Sequence, residues 1–222
     1  MGTGPIVAYA KAVAERAENA ELLAETHRAI EAFEAEAADF PDGYGAVASL
    51  ASAHGVSSDD LSASYAYSRT LLGTDDAPIE LPAGLGPFLE RLAATAELWL
   101  ATNAPPDGIP ELLRRAGLDQ WLTRTSFNVG KPDGLRPLIT EALADGPVLV
   151  VGDVYDYDLA PAVDLGAATA LVGRASARDP RPVTMRADSL DELYRTIEAW
   201  AATAAVGNGT NSDSTAPDQR ND

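Results

Sequence analysis

Cysteine is absent from these 222 residues, which excludes disulfides, a thiol nucleophile and any cysteine-based metal site. Lysine is nearly absent: Lys11 and Lys131 are the only two, and every other basic side chain is arginine or one of two histidines. No apolar run approaches the ~20 residues that cross a bilayer as a helix. The opening MGTGPIVAYAKAVAERAENA has no basic segment leading into an apolar stretch, the pattern of a secretory signal. The expectation is a cytoplasmic protein with no membrane partner. Positive charge is scarce overall, with 16 Lys and Arg against 34 Asp and Glu and a net charge of -18. A field of that sign disfavours nucleic acid and anionic membranes as partners. It also repels a phosphorylated substrate at low salt, a repulsion largely screened where the Debye length falls to ~3 Å near 1 M salt. The composition therefore suits a salt-rich cytoplasm, with ordinary acidic solubility as the alternative.

What is present is organised in two styles. Up to about residue 73 the chain reads as all-helical. Ile6, Tyr9, Ala10, Val13 and Ala17 keep helical spacing behind Pro5, and a second apolar set runs from Leu22 and Leu23 to Ile30 and Phe33. PDGYG (41–45) reads as a turn, and YGAVASLASAH and DDLSASYAYSRTLL as two more helices, with Gly55 a stop and Ser58 or Asp59 a cap. Beyond LLGTDDAPIELPAGL (71–85) helices and short strands alternate. The strands are AELWLAT (96–102), LTRTSF (122–127), PVLVVGD (147–153), ATALVG (168–173) and VTMRAD; the helices are GPFLERLAAT, IPELLRRAG, LRPLITEALA, APAVDLGA and LDELYRTIEAWAAT. Alternation of this kind predicts an α/β fold with a parallel sheet covered on both faces. From about Ala205 the chain is polar and reads as a disordered tail.

In an open parallel sheet, ligands sit beyond the carboxyl ends of the strands. Thr102 and Asn103 follow the first strand, Lys131 follows the second inside NVGKPD, and Asp153 and Asp158 follow the third in VVGDVYDYD. A hydroxyl, an ammonium and a carboxylate pair on one rim suit a phosphoryl group: the hydroxyl holds an oxygen, the ammonium offsets charge and the carboxylates hold Mg²⁺. In a chain that has shed nearly all its lysines, one retained here points to a role for a compact ammonium. Asp156 competes with Asp158 as the second metal ligand. Tyr155 and Tyr157 read as rim packing, and His27 and His54 as surface or core residues with no partner at metal spacing.

LWLATNAP, VGKPD and VVGDVYDYDLAPA resemble, in order and at suitable distances, the second, third and fourth motifs of the haloacid dehalogenase-like (HAD) hydrolase superfamily. The closing ATALVGR and ADSLDELYRTIEAW resemble that family's last strand and helix. The resemblance covers about residues 79–200. It implies a Rossmann-like core over 76–204, a helical cap over 1–75 and a tail over 205–222. By the same resemblance Thr102 binds a phosphoryl oxygen with Asn103 beside it, Lys131 steadies nucleophile and phosphoryl charge, and Asp153 with Asp158 holds Mg²⁺. The implied activity is a Mg²⁺-dependent phosphatase of a small phosphorylated metabolite, acting through an aspartyl-phosphate.

The family's first motif, an aspartate pair of the form DxD at the end of the first strand, has no counterpart. Asp59-Asp60 and Asp75-Asp76 follow no apolar strand. GPIVAYA runs on helically and carries no aspartate. In the family the first strand lies between those of motifs two and four, and its loss would unpair two ladders at about 1–3 kcal/mol per buried group. The expectation is therefore a first strand preceding Met1 in the natural protein, with a naturally inactive binding module as the alternative. A 2-haloacid dehalogenase, working without metal, is the enzyme alternative. If the acidic surface is a salt adaptation, activity of the complete enzyme is held or rises from low to molar KCl; a steady fall over that titration contradicts it.

Overall fold

The structure, a computed structural model, describes residues 2–34, 43–173 and 176–209. The chain divides into two compact units, Met1–Leu81 with Pro106–Asp119, and Pro82–Pro105 with Gln120–Asp222.

In the first unit, α1 (Gly4–Arg16), α2 (Ala20–Glu34), α3 (Gly43–Ala53) and α4 (Ser58–Thr70) form a helical bundle, joined by the short α6 (Ile109–Arg115). GPIVAYA is thus helix, as its spacing predicts. Tyr9, Val13, Leu22, Ile30 and Val47 make the core, and Tyr9, Tyr44 and Tyr65 pack ring to ring at 5.5–5.8 Å between centroids. Two local expectations are corrected. Gly43–Gly45 of the expected turn open α3 instead, while residues 41 and 42 lie outside the described residues. The cap of α4 is Ser57, one residue earlier than expected; its hydroxyl accepts the Asp60 N–H at 3.1 Å. Aspartates 59 and 60 serve the first turn of that helix, where negative charge is favoured.

The second unit holds α5 (Leu85–Ala93), β1 (Trp99–Ala101), β2 (Arg124–Ser126), α7 (Leu135–Asp145), β3 (Leu149–Gly152), α8 (Ala160–Asp164), β4 (Ala168–Val172), β5 (Met185–Ala187) and α9 (Tyr194–Gly209). All pairings are parallel, as the alternation predicts, but among the described residues the strands form two sheets, β1-β2 and β3-β4-β5. Helices cover both faces. Phe88, Leu92, Leu193 and Ile197 form one layer against Ala170, with Leu98 and Leu149 packed on it. Leu135, Ile139 and Ala162 form the other, with Ala101 and Val150. Helix α9 reaches Gly209, five residues into the stretch expected to be tail; residues 210–222 lie outside the described residues. No helix among the described residues is long and apolar enough to cross a membrane.

Phe88 is buried and stacks on Tyr194 with 4.0 Å between ring centroids. Phe88→Ala should cost about 3–5 kcal/mol of unfolding free energy, read by urea denaturation; a loss under 1 kcal/mol would mean this layer does not hold the sheets.

Candidate active site

The rim at the carboxyl ends of β1, β2 and β3 is built by three loops. After β1, the Thr102 hydroxyl accepts the N–H of Ala104 at 3.1 Å, which fixes the side chain and leaves its O–H free to donate. The Asn103 carboxamide oxygen accepts the main-chain N–H of Lys131 at 2.7 Å, tying the first loop to the second. The second loop is further held by Val129 N–H to the Thr102 carbonyl at 3.1 Å and Gly134 N–H to the Gly130 carbonyl at 2.9 Å. Gly134 is required for closeness rather than for φ: a Cβ there would lie 1.6 Å from the Val129 carbonyl oxygen.

The third loop carries the aspartates. The chain leaves β3 at Gly152 and makes a single wide turn over Tyr155–Leu159, a geometry with i to i+5 bonds that recurs at functional sites. That turn folds Asp158 back under β3. One of its oxygens accepts Lys131 Nζ at 2.8 Å, and the other accepts the N–H groups of Asp153 and Val154 at 3.2 and 3.1 Å. Both side chains of the ion pair are largely withdrawn from solvent, at 18% exposure for Lys131 and 10% for Asp158. Charge-assisted bonds in such surroundings are stronger than their exposed counterparts. Asp153, by contrast, is exposed, and no basic side chain pairs with it among the described residues. The protein crowding its inner side, and then the charge of Asp158, push its carboxyl above the ordinary range.

Asp156 is placed apart from this cluster. It is exposed and ion-paired with Arg181, whose guanidinium also forks onto Asp179 at 2.9 and 2.6 Å and lies 4.0 Å from the Tyr155 ring centroid. That fork holds the Asp179 carboxyl at about 2. Arg186 on β5 in turn donates to the carbonyl oxygens of Ser176, Asp179 and Arg181. Arg181 was not apparent from the sequence. Its cue was the Asp179–Arg181 spacing in RDPRP, too short and common to single out. His54 pairs with Glu25 at 2.7 Å, and among the described residues the buried ring nitrogen of His27 has no partner and neither histidine joins a metal-like cluster.

The expected residues therefore meet: Asn103, Lys131, Asp158 and the Asp153 main chain form one bonded series, with Thr102 adjacent. The donor set fits a hard divalent cation in part. Asp153 offers a carboxylate with no basic partner among the described residues, whereas both oxygens of Asp158 are engaged. Among the described residues no three acidic or histidine side chains cluster as a metal site.

No protein-family model and no curated protein sequence matches the chain. Solved structures do. A HAD-hydrolase, YfnB from Bacillus subtilis, bound to magnesium, aligns with 87% of this chain and 91% of its own at 17% identity and a TM-score of 0.58. L-2-haloacid dehalogenase from Xanthobacter autotrophicus aligns over 86% and 92% at 17% identity and 0.53. A HAD phosphatase from Thermococcus onnurineus aligns over 88% of each chain at 17% identity and 0.51.

Gly152 tests the packing of the aspartate loop. A Cβ there would lie 2.2 Å from Asp158 Cβ and 2.6 Å from its Oδ2. Gly152→Ala should cost about 1–3 kcal/mol of stability by displacing Asp158; an unchanged urea midpoint would place Asp158 elsewhere.

Proposed function

We propose that this chain, whose fold is that of the HAD-superfamily hydrolases, is the cap and core of a Mg²⁺-dependent phosphatase of a small phosphorylated metabolite. The observation that carries the reading is the bonded series Asn103–Lys131–Asp158–Asp153 along one sheet rim.

Each residue then has a task set by its surroundings. The free O–H of Thr102 donates to a phosphoryl oxygen, and Asn103 keeps its carboxamide N–H groups for the same ligand while its oxygen holds the Lys131 loop. Lys131 keeps two ammonium protons beyond the one given to Asp158, enough to meet phosphoryl charge as it develops. Asp158 orients Lys131 and the Asp153–Val154 main chain. Asp153 would hold Mg²⁺, with water completing much of the shell. When bound, the ion supplies charge neutralisation at the phosphoryl oxygens. An aspartyl-phosphate mechanism needs a carboxylate nucleophile, and the rim carboxylates Asp153 and Asp158 already have other tasks in this reading. These residues by themselves should bind Mg²⁺ weakly and leave p-nitrophenyl phosphate unhydrolysed.

A metal-free dehalogenase is the competing chemistry. An Asp153 carboxylate without a basic partner among the described residues, pushed upward by burial and the charge of Asp158, favours a cation instead, and the magnesium in YfnB supports the same choice. Because the folded pKa of Asp153 is raised, its ionised form opposes folding as pH climbs through that value. Asp153→Asn should therefore raise Tm modestly in EDTA at neutral pH and abolish the rise that millimolar MgCl₂ gives the unaltered chain. Differential scanning fluorimetry reads both effects. A Mg²⁺ response equal in the two proteins would remove Asp153 as the ligand, and p-nitrophenyl phosphate turnover that survives Asp153→Asn would remove the mechanism.

A further inference from the structure

We propose that Arg69, in the last turn of α4, anchors an oxyanion-binding site in the helical unit, whose ligand presents a phosphate or a carboxylate group. Arg69 is 3% exposed. Its Nε is fully buried and, among the described residues, has no hydrogen-bond partner. No carboxylate of the described residues pairs with its guanidinium. The Tyr65 ring, one helical turn earlier, lies 5.8 Å from Cζ. A ring face attracts the cation yet offers no acceptor to its N–H donors.

Arginine stays protonated inside proteins. Withdrawing its charge from water is costly unless an anion or several acceptors meet it. The chain meets that requirement elsewhere. Arg91, Arg124, Arg136 and Arg181 pair with carboxylates, and Arg186 donates to three carbonyl oxygens. Acids outnumber Lys and Arg 34 to 16, so a carboxylate partner for residue 69 was within easy reach of the composition. An arginine buried without one keeps its donors for an anion from solution.

The surroundings hold this side chain without neutralising it. Tyr65 is fixed by ring contacts with Tyr9 and Tyr44, at 5.8 and 5.5 Å between centroids. Ser64 and Ser68, buried on the same helix, give their hydroxyl protons to the carbonyls of Ala12 and Tyr65. The chain at Gly108, in the same unit, closes on the end of α4: a Cβ there would lie 2.0 Å from the Arg69 carbonyl oxygen. The guanidinium then selects the ligand, because its planar fork matches two oxygens of a carboxylate or phosphate. A net charge of -18 repels anions at large, so binding rests on this local contact and is weak. The site is independent of the phosphatase reading.

The test is the Nε–H nuclear magnetic resonance signal of Arg69 in the isotope-labelled 222-residue chain, identified by its loss in Arg69→Lys. Sodium phosphate and sodium malonate are titrated separately, at constant ionic strength set with NaCl. At least one should shift the signal saturably with a midpoint of about 1–10 mM, and the lower midpoint names the acidic group preferred. The Tyr65, Ser68 and Gly108 amides should follow the same curve and cease to respond in Arg69→Met, while any phosphate response of the Thr102 and Lys131 amides persists. In NaCl alone Arg69→Met should melt no lower than the unaltered chain, since it removes a buried charge without a partner. No saturable shift with either anion overturns the site. So do amide shifts that survive Arg69→Met, or a Tm for that variant well below the unaltered chain, which would mean that the chain itself supplies the counter-charge.

Discussion

The ion pair between Lys131 and Asp158 joins two sheets that share no main-chain hydrogen bond among the described residues. Lys131 follows β2 in one sheet and Asp158 follows β3 in the other, so their 2.8 Å contact spans the break in the strand layer. Both are largely desolvated, and burying two charges is worthwhile only when the remaining donors and acceptors are met. Here the second Asp158 oxygen takes two main-chain N–H groups, and the Lys131 main chain takes the Asn103 carboxamide. Loss of either partner would leave the other charge buried and three loops without their common anchor.

The electrostatics of the rim follow from that pairing. Asp158 is satisfied, so the negative charge without a basic partner among the described residues falls on Asp153, which does not stand clear of its neighbour. Arg181 sits further out, drawing Asp156 away from the cluster and bracing the aspartate loop against the 176–181 segment and β5. Three acids within six residues thereby acquire three separate situations: one paired with lysine, one paired with arginine and one left for a cation. The scarcity of lysine makes the choice at residue 131 chemically pointed, since arginine's planar fork presents donors differently from a compact ammonium.

Much of this was legible in the chain itself. Period-3.6 apolar spacing placed α1 to α4, and short apolar runs ending at Thr102 and Asp153 placed β1 and β3 with the rim residues at their ends. The start of α3 and the cap of α4 were misplaced by a residue or two, because Gly-Tyr-Gly reads as a turn until its helix packs on Ile6, and because adjacent serines and aspartates are equally good caps on paper. Asp156 and Asp158 were indistinguishable in sequence. The wide turn at Tyr155–Leu159 separates them by rotating one inward to Lys131 and the other outward to Arg181.

The sequence by itself determined the order and type of the elements and which polar residues stand at strand ends, because hydrophobic period and turn chemistry are local properties. Only the tertiary structure decided which carboxylate is buried, that Arg181 braces the rim, and that the strand layer is open between β1 and β3. Those outcomes depend on where distant segments come together, and on which main-chain and side-chain groups find a partner there, quantities that no stretch of a few residues contains.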